Sequence, residues 1–122
     1  VLDLLRLLHP TPAVCGLPRD AAMAFLGEEE PFERGWYAGP VGWFDAEGNG
    51  VFAPALRTGV STELGWRLFA GAGIVEGSVP ALEWEETGIK FEPMVEALKQ
   101  GGAEIVAPVV QHARERFPSR GS

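Results

Sequence analysis

Leu2, Leu4, Leu5 and Leu8 recur at helical spacing. The His9-Pro10 step closes that segment, because a residue before proline avoids the α region. A Pro- and Gly-rich connection follows from Thr11 to Pro18. Pro18, Arg19 and Asp20 then open a second helix, with Ala22, Phe25 and Leu26 as its apolar face. Glu28, Glu29 and Glu30 before Pro31 read as its solvated end. Beyond them the pattern changes to strands. Tyr37 to Phe44 is an apolar, Gly-rich run, and Asp45 to Gly50 is a turn in which Asn49-Gly50 signals a hairpin. Val51 to Arg57 returns as the partner, and Pro54 within it marks an edge or a bulge. Thr58 to Glu63 reads as a further turn, and Leu64 to Ala70 alternates as a third strand. An antiparallel meander is the economical arrangement of the three.

Helical spacing then resumes. Ser78 is placed as a cap and Pro80 in the first turn. Leu82, Ile89, Met94, Val95 and Leu98 form the apolar face as far as Gly101-Gly102, with Pro93 expected to kink or split the helix. A last helix is expected over about 103–116. Helices, then strands, then helices indicate an α+β fold, antiparallel strands with flanking helices.

Composition narrows the function classes. Ten basic against seventeen acidic residues leave a net charge of −7. A nucleic-acid partner is not expected, because phosphate binding needs a basic surface. The small cluster Arg114, Arg116 and Arg120 does not alter that. The single cysteine, Cys15, excludes an internal disulfide framework, and His9 and His112 are too few for a His-rich metal site. The Val1–Leu8 stretch, interrupted by Asp3 and Arg6, is too short to span a membrane and lacks a signal-peptide layout. A cytoplasmic setting fits. Length alone suggests one domain, 1–122, with a helical tail over 99–122.

Four features could carry chemistry. Glu83 and Glu86 are three apart and share a helix face, with Lys90 one turn beyond. Two carboxylates on one face suit a hard cation such as Mg²⁺. The same spacing more readily describes a Glu86–Lys90 surface pair, worth about 0.2–0.5 kcal/mol. Ala70-Gly71-Ala72-Gly73 lets a ligand approach backbone N–H groups, and close packing explains it equally well. Arg57, at the end of an apolar strand, could grip a carboxylate or simply lie exposed. Tyr37 could donate a hydrogen bond or simply pack. No Ser/His/Asp or Cys/His set can be assembled.

Taken together, four motifs in one order resemble the chorismate-utilising enzymes, and among them most the isochorismate synthases. They are Leu8-His-Pro-Thr-Pro-Ala-Val-Cys-Gly16, Glu30-Pro-Phe-Glu-Arg-Gly-Trp-Tyr-Ala-Gly-Pro-Val-Gly-Trp43, Phe69-Ala-Gly-Ala-Gly-Ile-Val75 and Glu83-Trp-Glu-Glu-Thr-Gly-Ile-Lys90. The resemblance spans residues 8–98. It implies the C-terminal portion of the α+β chorismate-binding fold, in which large antiparallel sheets enclose a buried site. It also implies a reaction in which water adds at one ring carbon of chorismate while hydroxyl leaves another, with Mg²⁺ near a substrate carboxylate.

By this resemblance Glu83 and Glu86 match Mg²⁺ ligands, and Lys90 matches a residue that neutralises a substrate carboxylate. Arg57 and Tyr37 match binders of the substrate's other carboxylate-bearing arm, and Gly71 matches a backbone contact to substrate. Ala13 is similar to the isochorismate-forming branch, since anthranilate and salicylate synthases typically carry threonine or another polar residue there. The family's general-base lysine, general-acid glutamate and another Mg²⁺-binding glutamate lie upstream of the His-Pro-Thr-Pro-Ala motif and have no match here. The expectation is therefore a partial domain that does not turn over chorismate by itself. An anthranilate-, aminodeoxychorismate- or salicylate-forming enzyme, or a non-catalytic truncated remnant, remain the alternatives. Menaquinone, siderophore and salicylate supply are all compatible. Uncovered sheet edges would favour self-association.

Overall fold

The computed structural model of the protein describes residues 1–105. The chain divides into two units, Val1–Ala55 and Leu56–Ser122.

The first unit contains α1 (Leu2–Leu8), α2 (Arg19–Glu29), β1 (Pro40–Phe44) and β2 (Gly50–Pro54). α1 ends as its sequence requires. His9 is extended, with φ −93° and ψ 142°, and its N–H still reaches Leu5 O. The Arg19 guanidinium then donates to the carbonyls of Leu7, at 3.2 Å, and His9. A cation thus satisfies carbonyls that the helix end leaves unpaired, and ties α1 to the start of α2. On α2, Ala22 and Leu26 are half-buried, whereas Phe25 is 63% exposed, so the expected apolar face is only partly covered.

β1 and β2 pair antiparallel from Pro40↔Pro54 to Phe44↔Gly50. The expected strand therefore starts at Pro40, not Tyr37. Proline lacks the N–H for a ladder bond, and here it sits at the first residue of one strand and the last of the other. Ala38 N–H to Ala55 O (2.9 Å) and Ala55 N–H to Gly39 O (2.8 Å) extend the pairing. Asn49-Gly50 is not the centre of the turn. Gly50 is already in β2, and the Asp45 carboxylate closes the loop by accepting from the backbone and side-chain amides of Asn49, at 2.8 and 2.9 Å.

The second unit contains β3 (Thr58–Thr62), β4 (Gly65–Phe69) and α3 (Pro80–Gln100). Here the expected meander is corrected. The segment read as a turn, Thr58 onwards, is a strand that pairs antiparallel with β4, from Thr58↔Phe69 to Thr62↔Gly65. The result is two separate two-stranded sheets. Pro54 ends β2, and Arg57 adopts a left-handed φ of 48°, which redirects the chain before β3. The Thr62 hydroxyl donates to Gly65 O (2.6 Å) and accepts from Leu64 N–H, which fixes the tight turn.

α3 packs on β4, and the core of this unit is Leu68, Phe69 and Phe91, with Thr87 also buried. The buried stripe of α3 thus runs through Thr87 and Phe91, while Leu82 and Ile89 stay over 60% exposed. Thr87 satisfies its hydroxyl by donating to Glu83 O at 2.9 Å. Val79, not Ser78, is the N-cap; Ser78 Oγ instead accepts from Val75 N–H, and Pro80 takes the first turn as expected. The helix runs unbroken through Pro93. It stops where the glycines predict: Gly102 N–H reaches Lys99 O and Ala103 N–H reaches Leu98 O, with Gly102 at φ 70°. That pair of bonds is a Schellman cap. The helix expected from residue 103 does not begin there. Trp66 N–H bonds Glu104 O, and Trp66 bridges Ile105 in parallel fashion, so 103–105 run alongside β4. The rest of that expected helix lies outside the described residues. Among the described residues three helices and two antiparallel hairpins agree with the α+β class.

Candidate functional site

In the second unit α3 presents Glu83, Glu86 and Lys90, one helical turn apart in sequence. Glu83 is half-buried and Glu86 exposed. Lys90 Nζ lies 2.7 Å from Glu86 Oε1, and its side chain is only 21% exposed. The same ammonium donates to Gly71 O at 2.9 Å. Lys90 flanks the Phe91 stripe, so its aliphatic stem is covered while its charged end reaches the small-residue segment after β4. Three residues singled out from sequence, Gly71, Glu86 and Lys90, therefore meet. The contact uses the carbonyl of Gly71, which is exposed. Arg57 is exposed in the connection before β3.

Glu83 and Glu86 supply hard oxygen donors, the kind Mg²⁺ takes. Among the described residues no group of three or more His, Cys, Asp or Glu side chains forms a metal-binding set. Two carboxylates fit part of a Mg²⁺ shell, with water able to supply further oxygens.

In the first unit, Ala13 is exposed in the turn Thr11–Cys15, where Thr11 O accepts from the N–H groups of Val14 and Cys15, both at 3.1 Å. Tyr37 is half-buried and lines a cavity of about 280 Å³ with His9, Val14, Cys15 and Arg34. Arg34 was missed by sequence reasoning. Its Nε donates to Glu30 Oε2 at 2.7 Å and a terminal nitrogen to Glu30 Oε1 at 2.5 Å. The other terminal nitrogen donates to Val14 O at 2.6 Å. The guanidinium also sits 5.7 Å from the Tyr37 ring centre. Glu30 is thus no solvated helix end; its side chain is 23% exposed and forms a two-point pair. The Glu30 hydrogen bonds raise Arg34 above its usual range, against burial, which lowers it. Burial pushes the Tyr37 phenol up, and the Arg34 charge pulls it part of the way back. A Glu–Arg spacing of four within the second motif was the available signal.

The sequence profile for chorismate binding enzymes matches residues 1–99. The chain is 52% identical over 98 residues to "Isochorismate synthase MenF" of Bacillus subtilis, covering 80% of this chain and 21% of that protein. It is 51% identical over 102 residues to "Salicylate biosynthesis isochorismate synthase" of Pseudomonas aeruginosa, covering 84% and 21%. It is 50% identical over 94 residues to "Isochorismate synthase EntC" of Escherichia coli K12, covering 77% and 24%. The chain spans about a fifth to a quarter of the length of these relatives. A profile match over most of the chain, and half-identity to several such proteins across the same stretch, make this chain a member of the chorismate-binding enzyme family.

Proposed function

We propose that the chain is part of the chorismate-binding domain of an isochorismate synthase that converts chorismate to isochorismate with Mg²⁺. The observation that carries the reading on the structural side is the Lys90 ammonium held between Glu86 and the Gly71 carbonyl. It is supported by the three relatives named above, each an isochorismate synthase. In this reading Lys90 neutralises a substrate carboxylate, Gly71 gives a backbone contact to substrate, and Arg57 and Tyr37 bind the other carboxylate-bearing arm. Ala13 stands where other branches typically carry threonine or another polar residue, which favours the isochorismate-forming branch. Glu83 and Glu86 would hold Mg²⁺, which screens the substrate's negative charge when bound.

Chorismate is a dianion, so a chain with net charge −7 needs placed cations to hold it. Water addition also needs a base to deprotonate the nucleophile and an acid to help hydroxyl leave. Neither Lys90 nor Lys99 matches the base, so the 122 residues alone do not turn over chorismate. No described helix is long and apolar enough to cross a membrane. A reducing compartment such as the cytoplasm suits the free thiol of Cys15.

The test is to read the coding frame upstream of Val1, express the parent, and assay it with chorismate and Mg²⁺. Isochorismate from the parent and none from the 122-residue chain is the expected result. Anthranilate, aminodeoxychorismate or salicylate as product would move the parent to another branch. An isochorismate-forming 122-residue chain would overturn the partial-site reading.

A further inference from the structure

We propose that Arg34 is a positioning residue that ties the Ala13–Val14 turn to Tyr37, so that the two present to substrate as one unit. The inference rests on the chorismate reading for what Ala13 and Tyr37 do, but the clasp itself stands on geometry. Three partners converge on one guanidinium. Glu30 takes Nε and one terminal nitrogen, at 2.7 and 2.5 Å. Val14 O takes the other terminal nitrogen at 2.6 Å. The central carbon of the guanidinium lies over the Tyr37 ring, 5.7 Å from its centre.

These partners come from separate segments. Val14 is in the turn between α1 and α2, Glu30 caps α2, and Tyr37 precedes β1. A planar fork is the side chain suited to this work. It bonds a carboxylate at two points, keeps a further donor for a carbonyl, and stacks its face on an aromatic ring. Lysine offers a point charge on a flexible stem, with no rigid fork to fix the directions of its donors. Glu30 fixes the fork's plane, and that plane decides where the N–H donated to Val14 O points and where the cation lies over the Tyr37 ring. The cavity of about 280 Å³ bounded by Val14, Arg34 and Tyr37 is the space whose shape the clasp controls.

The experiment has a physical arm and a kinetic arm. Tyr37 is the only tyrosine in the chain, so its ring signals and its phenol titration are read without overlap. In the 122-residue chain, Arg34→Gln is expected to shift the amide signals of Ala13 and Val14 together with the Tyr37 ring. Signals of Trp66 and Lys90 in the other unit should stay in place and report intact folding. The phenol should titrate higher, since the opposing cation is gone. Arg34→Lys should return the phenol titration towards the original value while leaving Val14 displaced, a split that simple loss of packing does not produce.

In the parent, Arg34→Gln should raise the KM for chorismate by roughly tenfold with a smaller change in kcat, in the manner of an outer-shell support. Unmoved Val14 and Tyr37 signals in Arg34→Gln, or an unchanged KM, overturn the proposal. A parent that makes no isochorismate refutes the functional reading instead, and the Val14 and Tyr37 signals then decide the clasp by themselves.

Discussion

Asp45 carries the loop of the first hairpin on a single carboxylate. Its pKa lies below the usual aspartate value, first because the Asn49 side chain donates to it, and further because the N–H groups of Asn49, Glu47 and Gly48 point at it. The folded value is the lower one. The bonds therefore add stability above the ordinary aspartate range, and that contribution fades as pH falls through the depressed value. Amide exchange at Asn49 should accelerate as pH drops below about 4, relative to amides in α3, and Asp45→Ala should flatten that response. Equal pH dependence in Asp45→Ala and the parent sequence would remove Asp45 from this role. Lys90 gives a second prediction. Its ammonium competes with any cation for Glu86. Lys90→Met should therefore tighten Mg²⁺ binding by the chain a few-fold in calorimetry, and Glu86→Ala should abolish it. Mg²⁺ affinity that ignores both changes would place the metal elsewhere. The Glu86–Lys90 contact was legible from spacing alone, because both residues sit on one regular helix. The Glu30–Arg34 pair has the same spacing but spans a helix end and Pro31, so only the folded turn brings it together.

The two glycine-rich hairpins and α3 show where a pattern can be read and where it cannot. β1, β2 and β4 announced themselves through apolar runs and turn residues. β3 did not, because Gly59 and Ser61 made it look like a turn. Its signal was the β-branched series Thr58, Val60 and Thr62 at period two, with Thr58 and Val60 half-buried. Which strands pair was decided by Pro54 and the left-handed Arg57, neither of which a pattern of apolar positions reveals. On α3 the apolar count pointed to Leu82 and Ile89, while the sheet actually covers Phe91 and Thr87. Two substitutions test the element boundaries. A Cβ at Gly42 would overlap the Val51 carbonyl and press on Phe52 Cα at 2.7 Å. Gly42→Val should therefore open the β1–β2 hairpin, seen as lost amide protection from Val41 to Ala53. Gly102, at φ 70°, ends α3 in a conformation that side chains disfavour. Gly102→Ala should destabilise the second unit by about 1 kcal/mol in denaturant melts followed by circular dichroism. A change of equal size from Gly73→Ala, a control glycine with open space around it, would show that the cap geometry is not the cause.

At the scale of the whole molecule the balance of covered and bare apolar surface is unusual. Among the described residues, the buried hydrophobic side chains are Ala38, Leu68, Phe69 and Phe91. Many large ones are open, including Leu64 at 81% and Trp36 at 76%. The first hairpin shows the consequence most clearly. One face carries Phe44 and Phe52, stacked at 6.5 Å, and a cavity of about 220 Å³ closed by Leu4, Leu5 and Leu8 of α1. The opposite face carries Val41, Trp43 and Val51, each near 60% exposed. The register brings Trp43 opposite Val51 and Val41 opposite Ala53, so these side chains form one contiguous apolar strip. Among the described residues β1 and β2 form a sheet of two strands, so each also has an outer edge. The isolated chain should therefore self-associate through this strip, with the sedimentation coefficient rising with concentration. Trp43→Lys with Val51→Lys places two like charges directly opposite each other on the strip, and should lower association sharply without touching the Phe44–Phe52 face. Glu83→Gln serves as the charge-changing control, since it lies on α3 and should leave association unchanged. A chain that sediments as a monomer at every concentration, or a double variant that associates as strongly as the parent sequence, would mean that the strip is not what the chain uses to cover its apolar surface.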